Sequence, residues 1–226
     1  VFSKISLALP SNLETKKYLK ILGTKKIKIA GNIKYYGKTK LNKKNKFLLK
    51  KKFKNFKVWC AASTHHNEEI LIANLHKIIK KHYNKLLTII IPRHISRTNS
   101  IINDLRNLNL DVVTHSSGKK LNKYTDIYLV DTYGEASYFY NLSKVTFMGG
   151  SIIKHGGQNP LEPARFGNYI INGPNICNFK EIYEFLSKHK ISITTSNMNR
   201  MVKIIEKKIG INLTNHNTKK ISSIGN

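Results

Sequence analysis

The stretch KVWCAASTHHNEEILIANLHKIIKKHYNKLLTIII, residues 57–91, decides the fold. It opens with an apolar run of strand length, KVWCAA (57–62). A helical segment over 65–82 follows, with apolar side chains at Ile70, Leu71, Ala73, Leu75 and Ile78. It closes on LLTIII (86–91), another continuous apolar run. Strands that are apolar on both faces belong to parallel sheets covered on both sides.

The alternation continues downstream. A helix is expected over 97–108, then strands DVVTH (111–115) and DIYLVD (126–131), and a helix over 134–143. Strand KVTFMGG (144–150), a short helix at 160–166 and strand NYIING (168–173) come next. A helix at 178–188, a short strand at 190–194 and a helix at 198–209 complete the series. This pattern predicts one doubly wound, Rossmann-like α/β domain over 57–210 and a polar tail over 211–226. Upstream, KTKLNKKNKFLLKKKFKNFK (38–57) holds ten lysines, no acid and no clear period, so 38–56 reads as a linker. Residues 1–37 read as strand (5–9), helix (12–22) and strand (27–30), too little for a domain of its own.

The composition sets bounds. Hydrophobic residues make up 40% of 226, enough for a core. No run reaches the ~18–20 apolar residues of a membrane span. No secretory signal opens the chain, so Cys60 and Cys177, which lack metal or redox spacing, read as reduced thiols. Forty Lys and Arg against twelve Asp and Glu give a net charge of +28. Lys, Asn and Ile are over-used throughout, so most of that charge reads as solvated surface set by genome composition. Nucleic acid is not expected as a partner: there is no zinc-finger spacing, no Arg-rich helix and no aromatic interleaving. An anionic membrane surface remains a partner that 38–57 could meet.

Ligands of such sheets sit outside the carboxyl ends of the strands. Four loops there carry candidate chemistry. In CAASTHHNEE (60–69), Ser63 or Thr64 can cap a helix whose first turn holds Glu68 and Glu69, leaving amides for an anion. His65 and His66 lack the partner spacing of a metal site. In IIIPRHISR (89–97), Pro92 ends the strand and Arg93 projects where a phosphate would lie. In VDTYGEASYFYNL (130–142), Thr132 and Glu135 have capping-box spacing, and Gly134 within a first turn suggests close approach of a ligand. In GGSIIKHGGQNPLEPARFGN (149–168), two glycine pairs offer a floor without side chains, and Asn159, Pro160 and Glu162 read as a second capping box. Pro163 would then leave the Asn159 carbonyl without its donor, which helix stability alone does not explain. An Arg for phosphate, a carboxylate for ribose hydroxyls and glycine-floored helix starts suggest a nucleotide-sugar or dinucleotide site. Neither G-x-G-x-x-G after the first strand nor a Walker A motif is present.

WCAASTHHNEE, IPRH, LVDTYGE, FMGGSIIKHGGQNPLEPA and GPNICNFKEI stand in the order and spacing of the 3-deoxy-D-manno-octulosonic acid (Kdo) transferases, which the chain resembles over about residues 5–186. The resemblance implies a GT-B fold of two Rossmann-like domains. This chain would be the carboxyl-terminal, donor-binding one plus the tail of the first, with GNIKYYG (31–37) at the junction. It implies transfer of Kdo from CMP-Kdo to a lipid A precursor (lipid IVA), with inversion, without metal or other cofactor, by a peripheral protein at the cytoplasmic face of the bacterial inner membrane. CMP contacts carry over to Pro92, Arg93, Tyr133, Gly134, Glu135, Asn159, Pro160, Leu161 and Glu162, and Ser151 falls at the sugar end. Arg93 or helix amides would hold the phosphate, and Glu162 the ribose. The family's general base is a glutamate of the first domain, absent from this sequence. A truncated, donor-binding piece with little or no turnover is therefore expected. A non-catalytic remnant or nucleotide-binding module, or another GT-B nucleotide-sugar enzyme, are the alternatives. The departures from the family, Gln158 before Asn159 and Tyr133 where Met, Ile or Phe is common, leave the motif readable.

Overall fold

The computed structural model describes residues 1–10, 13–30, 41–209, 211 and 221. The chain forms two compact units, 1–40 with 219–226, and 41–218.

In the larger unit the apolar runs become β1 (Lys57–Thr64), β2 (Leu86–Pro92), β3 (Val112–Thr114), β4 (Ile127–Leu129), β5 (Val145–Met148), β6 (Tyr169–Asn172) and β7 (Ser192–Thr194). They build one sheet in the order β3-β4-β2-β1-β5-β6-β7, every pair parallel. Cys60 pairs with Ile89 on one side and Thr146 on the other, so β1 is central. From β1 the chain winds first toward β2, then returns to β5. The switch point of the sheet therefore lies between β1 and β5.

Helices cover both faces. They are α3 (Glu68–Lys80), α4 (Thr98–Asn107), α5 (Ala136–Leu142), α6 (Leu161–Arg165), α7 (Lys180–Lys188) and α8 (Met198–Lys208), following α1 (Leu13–Ile21) and α2 (Lys43–Phe53). Ile72, Leu75 and Ile79 of α3 meet Met201, Val202 and Ile205 of α8 in the core, along with Trp59, Leu86 and Ile90 from the sheet. Burial of each such side chain contributes roughly 1.5–3 kcal/mol. One polar cluster is built into the same face. His76 is fully buried, with Nδ1 2.8 Å from the Thr88 hydroxyl and Nε2 3.1 Å from Asp126, which also pairs with Lys80.

Two expectations are corrected. The lysine-rich segment is not without order: α2 occupies 43–53, and the larger unit begins at Leu41 rather than at 57. The Asn42 side chain caps the helix by accepting from Lys44 N (2.9 Å) and Asn45 N (3.3 Å). Lysine propagates helices well, and Phe53 anchors this one edge-on to Tyr128 at 4.9 Å. Of the apolar residues of α2, only Leu49 and Phe53 turn inward, too few to give a readable period. In the smaller unit, 5–9 and 27–30 form a single parallel bridge, Ala8 to Ile27, in place of two strands. Leu7 and Leu9 are exposed beside it, and so short a pairing buries little. GNIKYYG and nearly all of the polar tail lie outside the described residues. Among the described residues no helix is long and apolar enough to cross a membrane.

Candidate functional site

Glu68 organises the switch point. It is 1% exposed, and its carboxylate accepts backbone N–H groups from His65 (3.0 Å), Gly150 (2.8 Å), Ser151 (3.2 Å) and Ile152 (3.1 Å). An ionised carboxylate is acceptor-only, so four donors satisfy it. The same contacts close the loop after β5 onto the start of α3. The amides of 150–152 are thus occupied by the protein's own anion. Neither Ser63 nor Thr64 caps α3. Asn67 takes the N-cap position, and the Thr64 hydroxyl donates to Glu69 at 2.8 Å. Glu69 in turn receives both guanidinium arms of Arg97, at 2.9 and 3.0 Å.

The glycine pairs also have a packing explanation. A Cβ at Gly149 would lie 2.2 Å from the Ser63 carbonyl oxygen, so β5 can end against β1 only with glycine there. At Gly156 a Cβ would meet the Asn178 side chain at 2.5 Å. The loop after β6 braces the loop after β5: Asn175 donates to Ile152 O (2.9 Å) and Asn178 to His155 O (3.1 Å). Ser151 is fully buried; its hydroxyl donates to Met148 O at 2.5 Å and accepts from Gly173 N at 2.8 Å. Its side chain therefore braces this loop against the end of β6.

The other expected residues surround this hub. Pro92 ends β2 beside Thr64, and Arg93 N donates to Thr64 O at 3.0 Å. The Arg93 side chain is exposed and makes no hydrogen bond or ion pair among the described residues. Arg97, four residues on, is fully committed to Glu69; the two arginines of this loop thus differ in availability.

Beyond β4 both capping readings change. α5 begins at Ala136, so Glu135 precedes the helix, and its carboxylate accepts the Thr132 hydroxyl directly at 2.5 Å. Gly134 lies outside the helix with φ +80, a left-handed position that explains glycine without a ligand. Tyr133 beside it is 68% exposed. Glu135 is positioned from below. His115 Nε2 lies 3.0 Å from it, His115 Nδ1 lies 2.8 Å from the Tyr128 hydroxyl, and Lys52 donates to that hydroxyl at 3.0 Å. One proton assignment satisfies every group: Lys52 donates to Tyr128, Tyr128 to Nδ1, and Nε2–H to Glu135.

After β5, Asn159 Oδ1 accepts from Leu161 N at 3.0 Å, and α6 starts one residue later than expected. Its first bond runs from Ala164 N to Pro160 O at 3.2 Å. Pro163 thus stands in the first turn, where an N–H has no intrahelical acceptor, and its ring is no anomaly. Glu162 accepts the Ser137 hydroxyl at 2.8 Å, tying α6 to α5. Pro160 and Leu161 are buried and fix this helix start.

Sequence reasoning missed the role of Glu68, which it read only as a complement to a helix dipole. It also missed Arg97, His115, Asn175 and Asn178. Two adjacent carboxylates in a chain with twelve were a usable signal; the asparagines gave none. His65 adds a feature that spacing could not reveal. Its Nδ1 lies 3.0 Å from Ser63 O, its buried Nε2 has no hydrogen-bond partner among the described residues, and its ring is 4.2 Å from that of His155. Burial, then the neighbouring His155, lower its proton affinity. The neutral ring donates from Nδ1 and leaves Nε2 as an acceptor. Among the described residues no group of three or more His, Cys, Asp or Glu could hold a metal ion.

A parallel sheet wound in both directions, with its polar loops gathered at the β1/β5 switch point, has the architecture of a GT-B glycosyltransferase domain. The α,α-trehalose-phosphate synthase (UDP-forming) of Burkholderia vietnamiensis shares that fold, with a TM-score of 0.58 and 8% identity, covering 99% of this chain and 56% of that one. The crystal structure of the C-terminal CMP-Kdo binding domain of WaaA from Acinetobacter baumannii superposes with a TM-score of 0.68 at 30% identity, over 73% of this chain and 86% of that one. The 3-deoxy-D-manno-octulosonic acid transferase of Haemophilus influenzae is 36% identical over 194 residues, 82% of this chain and 44% of the relative. That of Rickettsia bellii is 32% identical over 177 residues, 78% of this chain and 42% of the relative. No protein-family model matches. The chain belongs to the 3-deoxy-D-manno-octulosonic acid transferase family. It spans less than half the length of these two transferases.

Proposed function

We propose that the larger unit is the donor-binding domain of a glycosyltransferase that moves Kdo from CMP-Kdo to a lipid A precursor, lipid IVA, at the start of the lipopolysaccharide core. In this reading residues 1–37 are the tail of an acceptor domain, and the enzyme works peripherally at the cytoplasmic face of the inner membrane. The observation that carries it is the availability of Arg93. Its backbone is fixed to β1 through Thr64 O, its side chain has no protein partner among the described residues, and it emerges beside the switch point. The neighbouring anion sites are already filled by Glu68 and Glu69, so Arg93 is the group left to meet a phosphate.

The Arg93 guanidinium binds the CMP phosphate and stabilises the charge that develops on it as the bond to the sugar breaks. Glu162, at the start of α6, accepts the ribose hydroxyls. Tyr133, Gly134 and Glu135 lie along the cytidine, with Glu135 oriented by His115. Isothermal titration of the chain with CMP tests this. Saturable binding is expected, weakened about 10- to 100-fold by Arg93→Ala, in line with roughly 1.5–3 kcal/mol for a charge-assisted bond. Glu162→Ala should weaken it as well. A folded chain that ignores CMP, or binds UDP in preference to it, would overturn the assignment.

A further inference from the structure

At the amino end of the sheet, α2, the entry to β1 and the turn from α5 into β5 border a solvent-open cavity of about 480 Å³. Lys46, Lys50, Lys54, Lys57 and Lys144 line it around Phe53. No carboxylate is among the lining residues, and among the described residues none of the five lysines is in an ion pair. Lys144 is half-buried, and its proton affinity is lowered first by burial and then by Lys50 and Lys46.

Phe53 is 3% exposed and fixes α2, so Lys46 and Lys50 stand one turn apart on the side facing the half-buried Lys144, while the ends of Lys46, Lys50, Lys54 and Lys57 reach solvent. A compact anion that takes several ammonium donors at once would relieve the repulsion among them, and phosphate is such an anion. The neighbouring face of the helix narrows the choice. Phe47 and Leu48 are 66% and 53% exposed, among Lys43, Lys44 and Lys51. A soluble phosphate compound has no use for exposed apolar side chains. A lipid headgroup lies directly beside the acyl region that such side chains enter, and a basic helix with apolar side chains suits that boundary.

We propose that this cavity binds the phosphate of an anionic phospholipid headgroup, with Phe47 and Leu48 entering the bilayer interface beside it. The site lies at the opposite end of the sheet from Arg93 and stands whether or not the CMP assignment holds.

The test is co-sedimentation of the full chain with phosphatidylcholine vesicles, with and without phosphatidylglycerol. Binding is expected only to the anionic vesicles. The triple variant Lys46→Gln, Lys50→Gln, Lys144→Gln should lower partitioning roughly 100-fold, at about fivefold per lysine near a charged surface. Phe47→Ser with Leu48→Ser should lower it as well, with an unchanged circular dichroism spectrum. Lys119→Gln, Lys120→Gln, Lys123→Gln removes the same charge from an exposed loop and should have a much smaller effect. An equal loss from both lysine triples would overturn the proposal, since net charge alone would then account for binding. Saturable binding of pyrophosphate through the same lysines without vesicle binding would overturn it too. So would saturable binding of a single-stranded oligonucleotide through the same lysines without vesicle binding. CMP titration of the same variants separates this outcome from the nucleotide assignment.

Discussion

At the carboxyl end of the sheet, Glu68 and Glu69 are buried and every carboxylate oxygen has donors; at the amino end, five lysines share a cavity with no carboxylate. The chain has only twelve acidic residues, and two of them are spent inside one helix turn. Glu68 closes the loop after β5 onto the start of α3 and Glu69 ties Arg97 of the loop after β2 to the same helix, so the protein's own anions hold these loops. The amino end is left with charge that the protein itself does not neutralise. The contrast separates a preorganised site from an uncompensated one, although both stand on a strongly basic surface.

Removing the organising anion should break the comparison most severely. Glu68→Gln presents one acceptor to four N–H donors and sets its own NH₂ against them. A loss on the order of 3–5 kcal/mol is expected in urea denaturation, as for other broken buried charge networks. An unchanged midpoint would show that the loops are held by something else. Gly149→Ala tests the same closure from the other side, because its Cβ would lie 2.2 Å from Ser63 O. Overpacking of that kind costs about 3 kcal/mol, read as a lower melting temperature.

Acid should affect a third place. Burial acts to raise the pKa of Asp126, but bonds from His76, Lys80 and the Asp111 amide outweigh it, and the group sits at about 2 against an ordinary 3.8. Its folded-state pKa is depressed, so its contribution is present above pH ~4 and fades as pH falls toward ~2. The amount is about 2 kcal/mol. Asp126→Asn should flatten stability over that window, measured by urea midpoints at several pH values. The smallest effect belongs to Arg93→Ala. Its side chain has no partner among the described residues, so stability should stay within about 0.5 kcal/mol while CMP binding falls. A clear loss of stability would mean that Arg93 is structural, like Arg97.

Much of the fold was readable from the chain, because β1 and β2 are apolar on both faces and α3 repeats its core side with helical spacing. α2 was not readable, since its two inward residues give no period and its lysines look like a solvated linker. The loops around the switch point announced themselves by their glycines, but for a reason that sequence could not supply. Gly149 is required by a carbonyl of another strand, and Pro163 is harmless because α6 starts at Leu161. Both depend on where distant segments meet. The pairing of Glu68 with amides more than eighty residues away is equally invisible locally. Arg93 was legible because a proline ends its strand; that it has no partner among the described residues while Arg97 does is a fact of the folded chain.

Amide NMR spectra recorded during addition of CMP test directly which end of the sheet meets the nucleotide. The account predicts shifts at Arg93, at Tyr133 through Glu135 and at Asn159, Leu161 and Glu162, with Lys46, Lys50 and Lys144 unmoved. Shifts confined to those lysines would contradict it.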